Sequence, residues 1–294
     1  MSGAALHWMW LPLAVASSLV VANNVEINRR ARQDSFRLHI WRTILAAMFW
    51  LPLALRQPWP HDGLFYAAAM FGGVAMIIGF VIQTELAKKH NGRVAILYMP
   101  LKAVLVFVVW AAVDSQARAH MMGEPWATLG VMVCLAVMIG SLGEFRKHDV
   151  SWESLKAVMP IVVIYGASDL LTRVVIDPAV LHERLIVFLS VAMCTSAFVS
   201  LMLWPWRPRR ELPFATKKLV KAGAFAALGS SINQVCYASA VVLAPSPAYA
   251  GMIVLLSPVW LLVYHRMVNI HDDASPVAGT VMVAAAIILM VLVA

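Results

Sequence analysis

Lys102 lies near the middle of the apolar run Val94 to Val113, and no acidic residue stands three or four positions away to pair with it along a helix. An ammonium at that depth in a bilayer costs roughly 3 kcal/mol on insertion scales, so it must face protein or water. Tyr98, four residues earlier, shares its helical stripe, and Tyr165 precedes Asp169 in the same way. A pocket between these two segments would offer a cation for a carboxylate or phosphate and an acid for an amine, the pair of charges a zwitterionic amino acid requires. The competing role for Asp169 is neutralisation by Arg173, one turn on. Likewise, Lys102 could serve only to tie the helices together through a carbonyl or acid on a neighbour. Pro100, two residues before Lys102, lacks an N–H and so is expected to free the carbonyl of Ile96, adding an acceptor and a kink.

Other polar residues in apolar surroundings extend the set. Asn233 and Gln234 are adjacent amides at mid-span and are expected to face a pocket, although such groups often serve only as interhelical hydrogen bonds of around 0.6 kcal/mol. Trp260 lies deeper than the tryptophans that mark span ends and is a further lining candidate, as is Trp50. Glu85 is a candidate coupling acid; the adjacent Lys88 and Lys89 favour its ionised form and work against that role. His265-Arg266 with His271-Asp272-Asp273 is the strongest enzyme-like cluster, and its spacing fits a solvated turn better than any metal or phosphotransfer motif. Cys134, Cys194 and Cys236 fall inside apolar runs at no disulfide or ligand spacing, so neither a metal nor a cofactor is expected, and the chain is not expected to be an enzyme.

The elements that position these residues follow from composition. The chain has 294 residues, 62% of them hydrophobic and 13% charged, with a mean hydropathy of +0.79. A water-soluble domain is about 45–50% apolar, so this is an integral membrane protein of all-α class. Ten spans are expected, at 6–27, 38–56, 64–86, 93–113, 126–143, 157–176, 184–204, 218–242, 246–268 and 276–294. The first is expected to stay in place rather than act as a cleaved leader, since no basic residue precedes Arg29. Loops are too short to form a soluble domain, so any site lies among the helices.

A formal charge of +8 is also what a nucleic-acid-binding surface carries, but the basic residues alternate along the chain. Eighteen of the 23 fall on one face, in the loops after the odd-numbered spans. The positive-inside rule makes that face cytoplasmic and puts both termini outside the inner (plasma) membrane. Nucleic acid is therefore not an expected partner; a small-molecule substrate and the lipid bilayer are, with a homodimer left open.

The polar stretch around residue 150 divides the spans five and five, giving halves 1–148 and 149–294. Five is odd, so halves of like fold would be related by an axis in the membrane plane. Pro100 and Pro258 sit early in spans four and nine, 158 residues apart, and Gly72-Gly73 and Gly229 precede them at similar distances.

Ten short spans with short loops, the segment FRLHIWRTILAAMFWLPLAL with Arg42 near the start of a second helix, and the proline-bearing YMPLK and LSPVW segments resemble the EamA-like permeases of the drug/metabolite transporter superfamily. The resemblance covers nearly the whole chain on loose motifs. It implies two inverted five-helix repeats around a central cavity, lined largely by spans three, four, eight and nine. It also implies a secondary transporter, with export the expected direction, moving an amino acid or organic anion by alternating access. Arg42 joins the substrate-binding candidates on this ground, and Pro100 and Pro258 become helix kinks. A lipid-linked flippase of the same fold and an integral-membrane enzyme are the alternatives. The chain departs from the pattern in its reversed loop charge and in carrying Lys102, and its own charge count sets the expected orientation.

Overall fold

Each apolar run closes its backbone hydrogen bonds within itself, as a chain in hydrocarbon must, and every described regular element is helical. The computed structural model describes residues 8–31, 33–89, 98–144, 152–206, 213–268 and 276–293. The first half contains α1 (Trp10–Ala31), α2 (Ser35–Ala54), α3 (Gly63–Lys89), α4 (Tyr98–Val113), the short α5 (Ser115–Gly123) and α6 (Pro125–Glu144). The second contains α7 (Trp152–Val175), α8 (Leu181–Leu203), α9 (Lys217–Leu243), α10 (Pro247–Val254), α11 (Ser257–Met267) and α12 (Pro276–Val293). Local chemistry sets the ends. Asp34 accepts from the Arg37 N–H to open α2, and Thr216 accepts from the Leu219 N–H to open α9, each satisfying an otherwise orphaned donor.

Five segments are long and apolar enough to cross a bilayer: Gly63–Gln83, Val158–Val175, Pro178–Trp206, Lys217–Leu243 and Pro247–Met267. Trp10–Asn24, Tyr98–Val113, Pro125–Ser141 and Val277–Leu292 are shorter apolar helices. The second expected span falls in neither group. Its helix, α2, carries Arg37, His39, Arg42 and Thr43 in its first half, and of these Arg37, His39 and Thr43 are buried.

The expected ninth span is interrupted at Leu255 and Leu256, which keep right-handed helical backbone angles and turn hydrogen bonds across the join. It stops at Val254, passes through Leu255 and Leu256, and restarts as α11 with Pro258 in its opening turn. Pro258 thus begins a helix, where its missing N–H costs nothing. Pro100 likewise lies in the first turn of the described part of α4, while Ile96 falls outside the described residues. Prolines inside a helix are instead Pro52 and Pro160.

Packing interleaves the two halves. α1 lies against α9 and α3 against α7; α3 crosses α8 and α2 crosses α9; α4 meets α7, and α1 meets α10 and α11. Three further contacts join the halves, α2 with α8, α4 with α10, and α6 with α12. Small residues permit the tight crossings. A Cβ on Gly73 would collide with the Ala192 carbonyl, and one on Gly223 would stand 2.7 Å from Trp41. Large apolar side chains such as Phe198, Met202, Phe225, Leu228, Ile287 and Val291 are exposed on the outside. Ser17, Ser18, His39, Thr43, Ser190, Ser196 and Ser231 are buried. Oily outside and polar within is the distribution that lipid, not water, selects.

Candidate functional site

Spans four and six meet along the two stripes that the sequence marks out. Because Tyr98 and Lys102 are one turn apart on α4, and Tyr165 and Asp169 one turn apart on α7, packing α4 on α7 aligns aromatic with aromatic and charge with charge. The Tyr98 and Tyr165 rings are edge to face with centroids 5.4 Å apart. Lys102 Nζ stands 2.7 Å from Asp169 Oδ2. A third helix completes the group. Tyr237 on α9 accepts from Lys102 Nζ at 2.6 Å and donates to Asp169 Oδ2 at 2.6 Å, with the ammonium 4.6 Å from the centroid of its ring. Lys102 and Asp169 are each only 8% exposed.

This closed triangle corrects two expectations. Asp169 is not neutralised by Arg173, which donates to the Val242 carbonyl instead and lies 5.9 Å from the Trp110 ring centroid. Nor is Lys102 an unpaired cation turned to an open pocket: it is held by an acid on a neighbouring helix. Each charge is already matched, so in this state the two do not offer separate docking points for a zwitterion.

A longer polar route runs from the triangle into the interior. Gln83 reaches the hydroxyls of Tyr98 and Tyr165, and Tyr165 lies within electrostatic reach of Arg42. Tyr165 packs its hydroxyl against Gly79, whose lack of a side chain makes the room. Arg42 Nη2 is 3.0 Å from His39 Nδ1, Nη1 is 3.4 Å from Ser230 Oγ, and the guanidinium carbon sits 4.4 Å from the Phe80 ring centroid. His39 Nε2 in turn lies 3.0 Å from Ser196 Oγ. Arg42, Gln83, Tyr165, Gln234 and Tyr237 all keep partial exposure.

The remaining candidates disperse. Asn233 accepts from Ser17 Oγ at 2.7 Å and Trp260 donates to Ser18 Oγ at 2.8 Å, so both fasten their helices to α1. Trp50 donates to Ser231 Oγ at 3.1 Å. Gln234 points the other way from its neighbour and meets Met76 Sδ at 3.2 Å. The side chain of Glu85 and residues 271–273 lie outside the described ones. His265 pairs with Glu26 across helices at 3.7 Å. All three cysteines are free, and the described residues contain no group of three His, Cys, Asp or Glu side chains able to hold a metal.

Tyr237 and His39 were not marked by the sequence reading. A signal existed for each: Tyr237 follows Asn233 by four and so shares its stripe, and His39 precedes Arg42 by three. Both were masked by neighbours more conspicuous by charge or by adjacency.

No family model matches the chain, and no curated protein does. Solved structures do match. One, described only as the crystal structure of a protein, superposes with a TM-score of 0.68 over 98% of each chain at 14% sequence identity. At that identity the likeness establishes a shared fold along nearly the whole chain and nothing about activity.

Proposed function

We propose that the protein is a secondary transporter that moves a small polar metabolite by alternating access, with two inverted five-helix repeats rocking about a shared interior. The observation that carries the reading is the Lys102–Tyr237–Asp169 triangle: a buried ion pair that joins the first half to the second, at the end of a polar route. An intramembrane ion pair is expensive to bury, so its presence here favours a site or a switch. A pair spanning two bodies can be held in one arrangement and opened in another, which a purely structural tie has no need to do.

The helix pairings support the repeat. Exchange α1 with α7, α2 with α8, α3 with α9, α4 with α10–α11, and α6 with α12. The α1–α9 contact then maps onto α7–α3, α3–α8 onto α9–α2, and α4–α7 onto the contacts of α10 and α11 with α1. The α2–α8, α4–α10 and α6–α12 contacts map onto themselves. Two side-chain contacts join residues 158 apart, Gln234 with Met76 and Ser257 with Met99 at 4.0 Å, the same interval that separates Pro100 from Pro258. Residues that touch their own counterparts belong on a two-fold axis, and five crossings per half would put that axis in the membrane plane. The frame is that of the EamA-like permeases the sequence resembles, with ten spans in the plasma membrane and both termini outside.

The test is solute movement by the purified full chain in sealed vesicles. Saturable accumulation of an unaltered metabolite supports transport. Product formed in detergent, where no compartment exists, would mean an enzyme instead, and movement confined to lipid-linked solutes would mean a flippase.

A further inference from the structure

Lys102 is neutralised; Arg42 is not. Its neighbours are a histidine, a serine hydroxyl and an aromatic face, and among the described residues no carboxylate pairs with it. Arg42 Nε is buried and has no hydrogen-bond partner. The Nδ1 of His39 accepts from the guanidinium while its Nε2–H donates to Ser196, so this ring is neutral and adds no negative charge. A guanidinium carries five donors in a planar fork and cannot shed its proton. Here two of the five donors make hydrogen bonds, one of them long at 3.4 Å, the buried Nε–H makes none, and no carboxylate among the described residues compensates the charge.

From this we infer that Arg42 receives the carboxylate of the substrate, and that the substrate is a monocarboxylate whose remainder is uncharged, such as a 2-hydroxy or 2-oxo acid. The inference rests on the transport reading and gives it a substrate class. Charge matching decides between anions. Lys102 is spent on Asp169, so the route offers one unmatched positive charge, which a carboxylate cancels and a phosphate dianion would overshoot. Zwitterions are disfavoured for the complementary reason: Asp169, the acid on this route, is already held by Lys102 and Tyr237. One helical turn along α9 from Ser230 is Gln234, and one turn along α3 from Phe80 is Met76, and these two touch. The layer next to Arg42 therefore holds an amide, which can bond a hydroxyl or keto oxygen, and a thioether, which adapts to varied apolar shapes.

The experiment compares the near-isosteric trio L-lactate, L-alanine and lactamide, with 2-oxobutyrate and hexanoate for range. Thermal stabilisation of the full chain in detergent reads binding, and proteoliposome counterflow reads movement. We expect saturable stabilisation by lactate and 2-oxobutyrate, binding of alanine at least about tenfold weaker, and none by lactamide, since a site built around a charge rejects the neutral isostere strongly. Arg42→Gln should abolish the carboxylate response and Arg42→Lys should weaken it about tenfold, the fork geometry being lost. Should Arg42→Gln fail to fold, phenylglyoxal modification of the unmutated protein decides: saturating lactate should protect Arg42 and leave the exposed Arg118 and Arg56 reactive. Equal binding of alanine and lactate, or no protection of Arg42, overturns the inference. Flux of other solutes without carboxylate binding would do so while leaving transport intact. Carboxylate binding at Arg42 without flux would refute transport and leave the site standing.

Discussion

Removing either charge of the Lys102–Asp169 pair should cost far more than removing both. The pair is 2.7 Å apart, each residue is 8% exposed, and Tyr237 adds two hydrogen bonds of 2.6 Å. Lys102→Met leaves a buried carboxylate facing a tyrosine, and Asp169→Asn leaves a buried ammonium with only neutral acceptors. Stranding one member of such a pair costs about 3–5 kcal/mol, or two to nearly four powers of ten in the unfolding equilibrium. The double variant strands nothing, and replacing a buried pair with neutral groups is often close to neutral, so it should fall within about 2 kcal/mol of the parent. The coupling from the cycle should then exceed about 3 kcal/mol. Ordinary intramembrane hydrogen bonds average about 0.6 kcal/mol and reach about 1.7 in such cycles, which leaves a clear gap. Reversible unfolding in mixed detergent micelles, followed by tryptophan fluorescence, measures all four proteins. Additive single effects, or a coupling near 0.6 kcal/mol, would refute the claim that these charges meet inside the bundle.

Other predictions concern neighbouring contacts. Tyr237→Phe removes the hydroxyl that bridges both charges and should cost about 1.5–3 kcal/mol in the same unfolding assay, the range for hydrogen bonds to charged groups. Gly73→Ala drives a methyl into the Ala192 carbonyl and Thr195 and should destabilise by about 1–3 kcal/mol, the usual effect of overpacking. Gly72→Ala, whose Cβ meets only Ser168 Oγ at 3.5 Å and Phe188 beyond, should change stability little. Gly79→Ala should displace the Tyr165 hydroxyl and reduce flux in proteoliposomes more than it reduces stability. Cysteines placed at residues 2 and 294, with Cys134, Cys194 and Cys236 replaced, should both react with an impermeant maleimide from outside intact cells; labelling only after permeabilisation would reverse the orientation.

Sequence reasoning reached the all-helical, membrane-spanning class and the two facing stripes because both are periodic. Apolar runs of about 20 residues define helices, and a four-residue interval fixes which side chains share a face, so the Tyr98–Lys102 and Tyr165–Asp169 stripes could be drawn before their helices were placed. Which charge met which could not be decided, because Arg173 and Lys102 are equally good partners for Asp169 until the packing of α4 on α7 chooses between them. Proline gave an ambiguous signal for a related reason. The same missing N–H either kinks a helix or starts one, and at Pro258 the helical ladder is interrupted at Leu255–Leu256 and resumes with the proline in its opening turn. Asn233 and Gln234 were indistinguishable as adjacent amides, yet the 100° between successive helical side chains sends one to Ser17 on α1 and the other to Met76 on α3. Arg42 is the reverse case: it entered on a resemblance, and only the packed structure shows that no carboxylate among the described residues pairs with it.

Counterflow in sealed proteoliposomes tests the central claim most directly. Vesicles carrying the unmutated chain and loaded with unlabelled metabolite should take up the labelled compound transiently and saturably, with the solute recovered unchanged, and Lys102→Met should suppress that uptake while the protein stays inserted. Uptake no greater than in protein-free vesicles for every metabolite class tried, or uptake undiminished in a folded Lys102→Met variant, would contradict a transport route that passes through this buried pair.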